Sequence, residues 1–282
     1  MHPVERLRFV AGAQGEHPRL VLPEAADALA ELAEDPAVLV TACRRLVESR
    51  PRCGATWWLA SRVLCALDPR RAAREAAVEL ELDATAELLS AEFARRTLAM
   101  VGSPELASVL GQRPDGAAVY LVGDSPRRSR RARVARSRFA EVELVFPWEI
   151  EALMPGLAAA VIEAEAVGPF GALGPPWATQ LAALATAAGV PVWLAVGAGR
   201  SLPVGLWGAM LSRLPLAGEG EEGAQGEAAP GLLALSEVDC FGSPRGAVSA
   251  GELLGQARRC PVAPELLRWP SSGAGGRSEL RR

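Results

Sequence analysis

The stretch 161–197 constrains the fold of this chain more than any other; it reads VIEAEAVGPFGALGPPWATQLAALATAAGVPVWLAVG. An apolar run ends in two acidic residues, Glu163 and Glu165, and a Gly/Pro-rich loop at 168–176 follows. The segment 177–188 is rich in Ala and Leu, and a glycine separates it from a second apolar run. This order is typical of strand, loop, helix and strand. Because parallel strands need such a crossover, we predict a βαβ unit in an α/β fold.

The end of the first strand in this unit is the expected place for a site. Ligands of open parallel sheets bind beyond the carboxyl ends of the strands. Glu165 and Gly168, at the start of the loop, lie at such an end. Glu165 can accept hydrogen bonds from the glycine loop, contact a ligand or act as a general base. We interpret Glu163 as structural or exposed.

The whole chain divides into four predicted parts. Proline punctuation and apolar residues at helical spacing predict a helical domain of about four helices, which opens at Pro23 and ends with one long helix at 70–94. Apolar runs that alternate with helical segments predict an α/β domain after it. The predicted parts are an irregular arm at 1–22, the helical domain at 23–94, the α/β domain at 95–270 with a disordered acidic loop at 217–231, and a flexible tail at 271–282.

Composition excludes several classes of protein. The chain has 282 residues, a net charge of −3, and no Lys or Asn, so a Schiff-base or P-loop lysine is impossible. Five cysteines without CxxC spacing, and two histidines confined to the arm, give no reason to expect a metal or a cofactor. No apolar run reaches the roughly 18 residues of a membrane span, and the N-terminus lacks the apolar core of a signal peptide. We therefore expect a cytoplasmic protein that does not bind membranes.

The segment 127–138 is dense in arginine. Such a helix can bind phosphates or nucleic acid, or it can be a solvated helix face on the outside of the sheet. The segment has no interleaved aromatic residues and the chain is acidic overall, so we expect no nucleic-acid partner. Its role stays open.

A second candidate site lies where the strand predicted at 96–101 turns into a helix. Ser103 is a good N-cap, and Pro104 stands at the first helical position. The N–H groups of Gly102 and Ser103 can hold a phosphate at such a helix N-terminus. On its own this signal is weak, since many βα loops share it.

Several of these segments resemble the initiation factor 2B-like family, which includes translation initiation factor 2B subunits and sugar-phosphate isomerases. The similar segments are EAEAVGP at 163–169, AAGVPVW at 187–193, SRPRCGATWWLASR at 49–62 and CPVAPELL at 260–267. The resemblance implies a helical domain followed by a Rossmann-like parallel-sheet domain of the ribose-5-phosphate isomerase and CoA transferase type. It also implies a homodimer and a small phosphorylated ligand.

The same resemblance bears on individual site residues. Arg50 matches the arginine that contacts sugar phosphate in the isomerases; otherwise it caps a helix end or pairs with a carboxylate. The isomerase cysteine aligns with Val101, which cannot ionise, and the isomerase aspartate aligns with Glu165. The Asn-Lys pair that follows aligns with Gly174 and Pro175.

One of two proton-transfer groups is therefore lost. We expect a non-catalytic or regulatory binder of a phosphorylated sugar or nucleotide, with Arg50, Gly102, Ser103, Glu165 and Gly168 around the ligand. A diverged aldose-ketose isomerase that uses Glu165 and an interaction module without a ligand are the alternatives.

Overall fold

A computed structural model describes residues 2–13, 17–112, 117–123, 142–214 and 230–268. The helices are α1 Pro3–Gly12, α2 Pro18–Glu31, α3 Pro36–Ser49, α4 Gly54–Leu64, α5 Pro69–Glu81, α6 Thr85–Glu92, α7 Pro104–Gly111, α8 Ile150–Leu153, α9 Ala178–Ala187, α10 Val204–Leu211 and α11 Ala250–Ala257. The strands are β1 Leu98–Val101, β2 Val119–Val122, β3 Val142–Val145, β4 Ala159–Glu163, β5 Ala166–Gly168, β6 Gly171–Pro176, β7 Val192–Ala195, β8 Pro230–Leu233, β9 Cys240–Ser243 and β10 Gly246–Val248.

The first 22 residues are not the irregular arm that we predicted. They contain α1 and the start of α2, and each helix has proline at its first position. His2 and His17 act as the N-caps, each accepting a main-chain N–H through its imidazole. Histidine is not a preferred cap, so the sequence pattern missed both starts. Pro23 lies inside α2 and does not open it.

The single helix predicted at 70–94 is two helices, α5 and α6. They are separated at Asp83, whose buried carboxylate accepts hydrogen bonds from the main-chain N–H and the hydroxyl of Thr85 at 3.0 and 2.6 Å. The same carboxylate accepts the N–H of Ala198, at 2.9 Å, in the loop after β7. Asp83 therefore fastens the helical layer to the sheet.

The main sheet has seven strands in the order β10-β9-β7-β4-β1-β2-β3. All neighbours are parallel except β10, which is antiparallel to β9. β4 pairs with β7 in parallel, with Ala160 opposite Val192, which confirms the βαβ unit. The Gly/Pro-rich stretch is more ordered than the predicted loop: β5 and β6 form a hairpin, and β8 joins them in an antiparallel three-stranded sheet.

Helices cover both faces of the main sheet because its inner strands are buried on both faces. Every residue of β1 and β4 is buried. Ile162 packs with Leu181 of α9 on one face, and Met100 packs with Leu110 of α7 on the other. A separate core, which includes Trp57 of α4 and Trp207 of α10, packs the N-terminal helices against α10 and the β5–β6 hairpin.

Three predicted segments fall wholly or largely outside the described residues: the arginine-rich segment 127–138, the tail 271–282 and most of the acidic loop 217–231. Of that loop, residues 230 and 231 belong to strand β8. Within the described part of the chain, no helix combines the length and the apolar character that a bilayer span requires.

Candidate functional site

The site lies where the order of strands in the main sheet reverses. β1 and β4 are neighbours, with Val101 opposite Ile162. From β1 the chain proceeds outward through β2 and β3, whereas from β4 it proceeds through β7 in the other direction. The connections after β1 and β4 therefore run to opposite sides and leave a crevice between them, which is where Rossmann-like sheets bind ligands.

Glu163, the last residue of β4, fills this crevice. Its side chain is 9% exposed. Oε2 accepts the main-chain N–H of Ser103 at 2.6 Å. Oε1 lies 2.8 Å from Nη2 of Arg200 and 2.9 Å from Nε2 of His17. We call these four residues the switch-point cluster.

Two features of the loop after β1 bring Ser103 to the carboxylate. A Cβ atom on Gly102 would lie 2.7 Å from Cβ of Glu163, so only glycine leaves room for that side chain. Ser103 is the N-cap of α7, its hydroxyl accepting the N–H of Leu106 at 3.2 Å, as predicted. The N–H groups at this helix start carry partial positive charge. Glu163 thus occupies the place that an external anion would take at such a terminus.

Arg200 reaches the crevice from the loop after β7. Gly199 has φ 71°, and a Cβ there would lie 2.7 Å from the Trp58 ring of α4, so the turn requires glycine. The turn brings Arg200 to the carboxyl end of β4, where it is 4% exposed. Its Nη1 donates to the carbonyl of Ala164 at 2.6 Å, in addition to the Glu163 contact.

Both ring nitrogens of His17 have polar partners. Nδ1 accepts the N–H of Arg19 at 3.2 Å, so the lone pair of Nδ1 is in use. A neutral ring with this acceptor carries its proton on Nε2 and donates it to Glu163. Nη2 of Arg200 lies 2.7 Å from the same Nε2, and both nitrogens are within hydrogen-bond distance of Oε1. Both nitrogens of His17 are therefore engaged.

The charges of the cluster favour an ionised Glu163. Burial alone raises the pKa of this carboxyl, but the charge of Arg200, the His17 contact and the Ser103 amide outweigh it, and the pKa lies well below its ordinary value. Burial lowers the pKa of Arg200, but Glu163 and the other groups around it, Asp83 among them, together raise the pKa by more, so this guanidinium is charged. The cluster is a buried ion pair whose hydrogen bonds compensate for lost hydration.

Glu165 lies beside the cluster and has a different partner. Its carboxylate receives two hydrogen bonds from Arg52, from Nε at 2.8 Å and Nη2 at 2.9 Å. The side chains are 34% exposed for Arg52 and 29% exposed for Glu165. Burial raises the pKa of Glu165, although Arg52 and Arg200 act in the opposite direction. This pair forms the solvent-facing rim of the site.

The structure brings only some of the predicted residues together. Gly102 and Ser103 contact Glu163 and not Glu165. Arg50 caps α1, its guanidinium donating to the carbonyls of Val10 and Ala13. Capping a helix end is one of the three interpretations left open for that residue.

Gly168 and Val101 have structural roles. Gly168 packs against Trp207, whose ring would lie 2.1 Å from a Cβ at that position. Val101 is 3% exposed and belongs to an apolar core. Gly174 and Pro175, which align with the family's Asn-Lys pair, lie in β6.

Three members of the site were missed. Glu163, interpreted as structural or exposed, is buried and ion-paired with Arg200, but its place at the centre of the cluster was not predicted. Arg200 follows β7, so the rule about carboxyl ends of parallel strands applied to it as well. His17 was set aside because the arm was read as irregular. Among the described residues, no group of three or more His, Cys, Asp or Glu side chains is placed to hold a metal ion.

No protein-family model matches the sequence, and no curated protein matches it. Solved structures do match in fold. A translation initiation factor eIF-2B from Pyrococcus horikoshii OT3 is 13% identical, with a TM-score of 0.66 over 89% of this chain and 98% of its own. eIF2B beta from Chaetomium thermophilum is 15% identical, with a TM-score of 0.62 over 95% and 93% of the two chains. The 5-methylthioribose 1-phosphate isomerase of Pyrococcus horikoshii OT3 is 14% identical, with a TM-score of 0.60 over 91% and 87%. These matches and the switch-point topology show that the chain has the fold of the initiation factor 2B-like family.

Proposed function

We propose that this protein is a non-catalytic member of the initiation factor 2B-like group that acts by binding. The observation that carries the proposal is the saturation of Glu163 by Ser103, Arg200 and His17. The crevice in which ligands of such sheets bind is filled by the chain's own carboxylate.

The chemistry of the cluster argues against proton transfer. A general base needs a free lone pair and a pKa near the working pH. The pKa of Glu163 lies well below its ordinary value, and both of its oxygens accept hydrogen bonds. Both nitrogens of His17 are engaged, and Val101 stands where the family's cysteine would be. None of these groups can shuttle a proton between sugar carbons.

The ligand we propose is a small phosphorylated sugar or nucleotide bound at the rim. Arg52 presents a planar fork that suits phosphate as well as carboxylate, and it is partly exposed. The charge of Arg200 acts on the same place, since it lowers the pKa of Glu165. A phosphate would take the position of the Glu165 carboxylate on Arg52.

A thermal-shift titration with ribose 5-phosphate and AMP tests the ligand. A ligand at about ten times its Kd stabilises the fold by about 1.4 kcal/mol. Glu165→Gln removes the competing charge and should lower the ligand concentration needed, whereas Arg52→Gln should abolish the shift. Equal shifts in Arg52→Gln and the parent, or none in any protein, would contradict the proposed ligand.

A diverged aldose-ketose isomerase is the second candidate, because burial raises the pKa of Glu165 in the direction that suits a general base. Turnover of ribose-1,5-bisphosphate that Glu165→Gln abolishes would support it and overturn the non-catalytic proposal. Equal rates in the parent and the variant would exclude Glu165 as the base.

We also propose a cytoplasmic homodimer. One structural neighbour is a tetrameric eIF2B-beta2-delta2 complex from Chaetomium thermophilum, 15% identical with a TM-score of 0.63. Light scattering on a gel-filtration peak should give twice the chain mass of 29.6 kDa. A mass of one chain at all concentrations would refute the dimer.

An interaction module without a ligand would dimerise or bind a partner protein, yet its melting temperature would not shift with either phosphate compound.

A further inference from the structure

A groove crosses the helical layer, away from the switch-point cluster. It encloses about 590 Å³, which is within the range of binding clefts. Helix α1 forms one wall and α3 the other, with Leu32 at one end. Most of the lining is apolar and includes Leu7 of α1 and Val38 and Leu46 of α3.

Each wall is one face of a helix. On α1 the lining positions are 4, 7, 8 and 11, and on α3 they include 38, 41, 42 and 45. Both sets follow the spacing i, i+3, i+4, i+7, which places their members on one side of a helix. Two such faces side by side form the trough into which a third amphipathic helix packs. Val38, 41% exposed, is open to such a partner.

The charged residues that line the groove are two arginines, Arg8 and Arg45. Arg45 is exposed, and within the described residues it has no ion-pair partner. Arg8 has a side chain that is 72% exposed, and its one ion pair among the residues that the structure describes is with its neighbour Glu5, at 2.7 Å. An occupant with an apolar face and acidic flanks would match both features.

The chain itself does not supply such an occupant. The segment 124–141 and the tail 269–282 carry an excess of arginine, and 215–229 is acidic but has Leu216 as its one large apolar residue. The other stretches outside the described residues have at most four residues. A second copy using the same face would bring arginine against arginine. We propose that the groove binds an acidic amphipathic helix of a partner protein.

Two stapled helical peptides of equal length test this proposal by fluorescence anisotropy. Both carry leucine at i, i+3, i+4 and i+7; one has glutamate on the flanks and the other has lysine. We expect the acidic peptide to bind at least about tenfold more tightly, and salt to weaken its binding. Arg45→Glu should reverse the preference, and Val38→Asp should abolish binding.

Val78→Asp on α5 is the matched control, because Val78 is 52% exposed and lies outside the groove. Circular dichroism melts establish that each variant is folded before it is titrated. Equal affinity for the two peptides, no binding of either, or an equal loss in Val78→Asp would overturn the proposal. Saturable binding of decanoate without binding of either peptide would identify a small amphiphile as the occupant and would also overturn it.

Discussion

Replacing Glu163 with glutamine removes one charge from the centre of the switch-point cluster and keeps the shape of the side chain. Arg200 would then stay buried at 4% exposure without the carboxylate that it pairs with. Removing one partner of a buried ion pair typically costs about 3–5 kcal/mol. The entropy of unfolding is about 2 cal/mol/K per residue, or roughly 0.6 kcal/mol/K for a chain of 282 residues. The expected fall in Tm is therefore about 5–9 °C.

Guanidinium denaturation at pH 7 measures the free energy of unfolding, and Glu143→Gln at an exposed position of β3 is the matched control. The control should stay within about 0.5 kcal/mol of the parent. In a double-mutant cycle with Arg200→Met, the two losses should be far from additive, with a coupling of at least about 2 kcal/mol. A loss below about 1 kcal/mol for Glu163→Gln, or additive losses, would refute the reasoning.

Three further outcomes are expected. Gly168→Ala should lower the free energy of unfolding by about 1–3 kcal/mol, because the new methyl would overlap an indole ring, whereas Gly208→Ala meets nothing within 4 Å and should not destabilise α10. His17→Ala should lower the free energy of unfolding by about 1.5–3 kcal/mol, because it removes both a helix cap and a hydrogen bond to a buried carboxylate. His2→Ala, which removes only an exposed cap, should lower it by about 1 kcal/mol or less. An equal cost in either pair, measured by denaturant unfolding, would contradict these contacts. The difference in free energy of unfolding between the parent and Glu163→Gln should be largest above about pH 4.3, the carboxyl pKa in the unfolded chain. It should shrink as the pH falls further, because the pKa of Glu163 is lowered in the folded protein. A constant difference from pH 7 to pH 3 would contradict this.

The sheet could be predicted because its strands are short apolar runs that end in turn residues. The unit around β4 and β7 was recognisable since periodicity, a Gly stop and length all agree. The capped start of α7 at Ser103 was recognisable for the same reason. In α1 and α2 the cap is a histidine, so local propensity gave no signal even though proline marked both first turns.

The site could be predicted only in part, because pairing in three dimensions is not encoded by spacing. The segment around Arg50 and Arg52 was identified, yet the arginine that meets Glu165 is Arg52, while Arg50 turns towards the end of α1. Arg50 and Arg52 lie on either side of Pro51, and the direction of the chain at this turn decides which side chain reaches Glu165. Likewise, Glu163 and Glu165 are two positions apart, and residues two apart in an extended strand point to the same side. Strand periodicity therefore does not predict which of the two carboxylates enters the crevice.

The contact between His17 and Glu163 joins two parts of the molecule that are distant in sequence. A shortened protein that begins at α3 would remove this histidine and leave β4 with one fewer donor for its terminal carboxylate. The sheet therefore depends on the N-terminal helices for one of the hydrogen bonds of its buried carboxylate. Efforts to isolate the sheet portion for crystallisation should retain residue 17 or replace Glu163 together with Arg200.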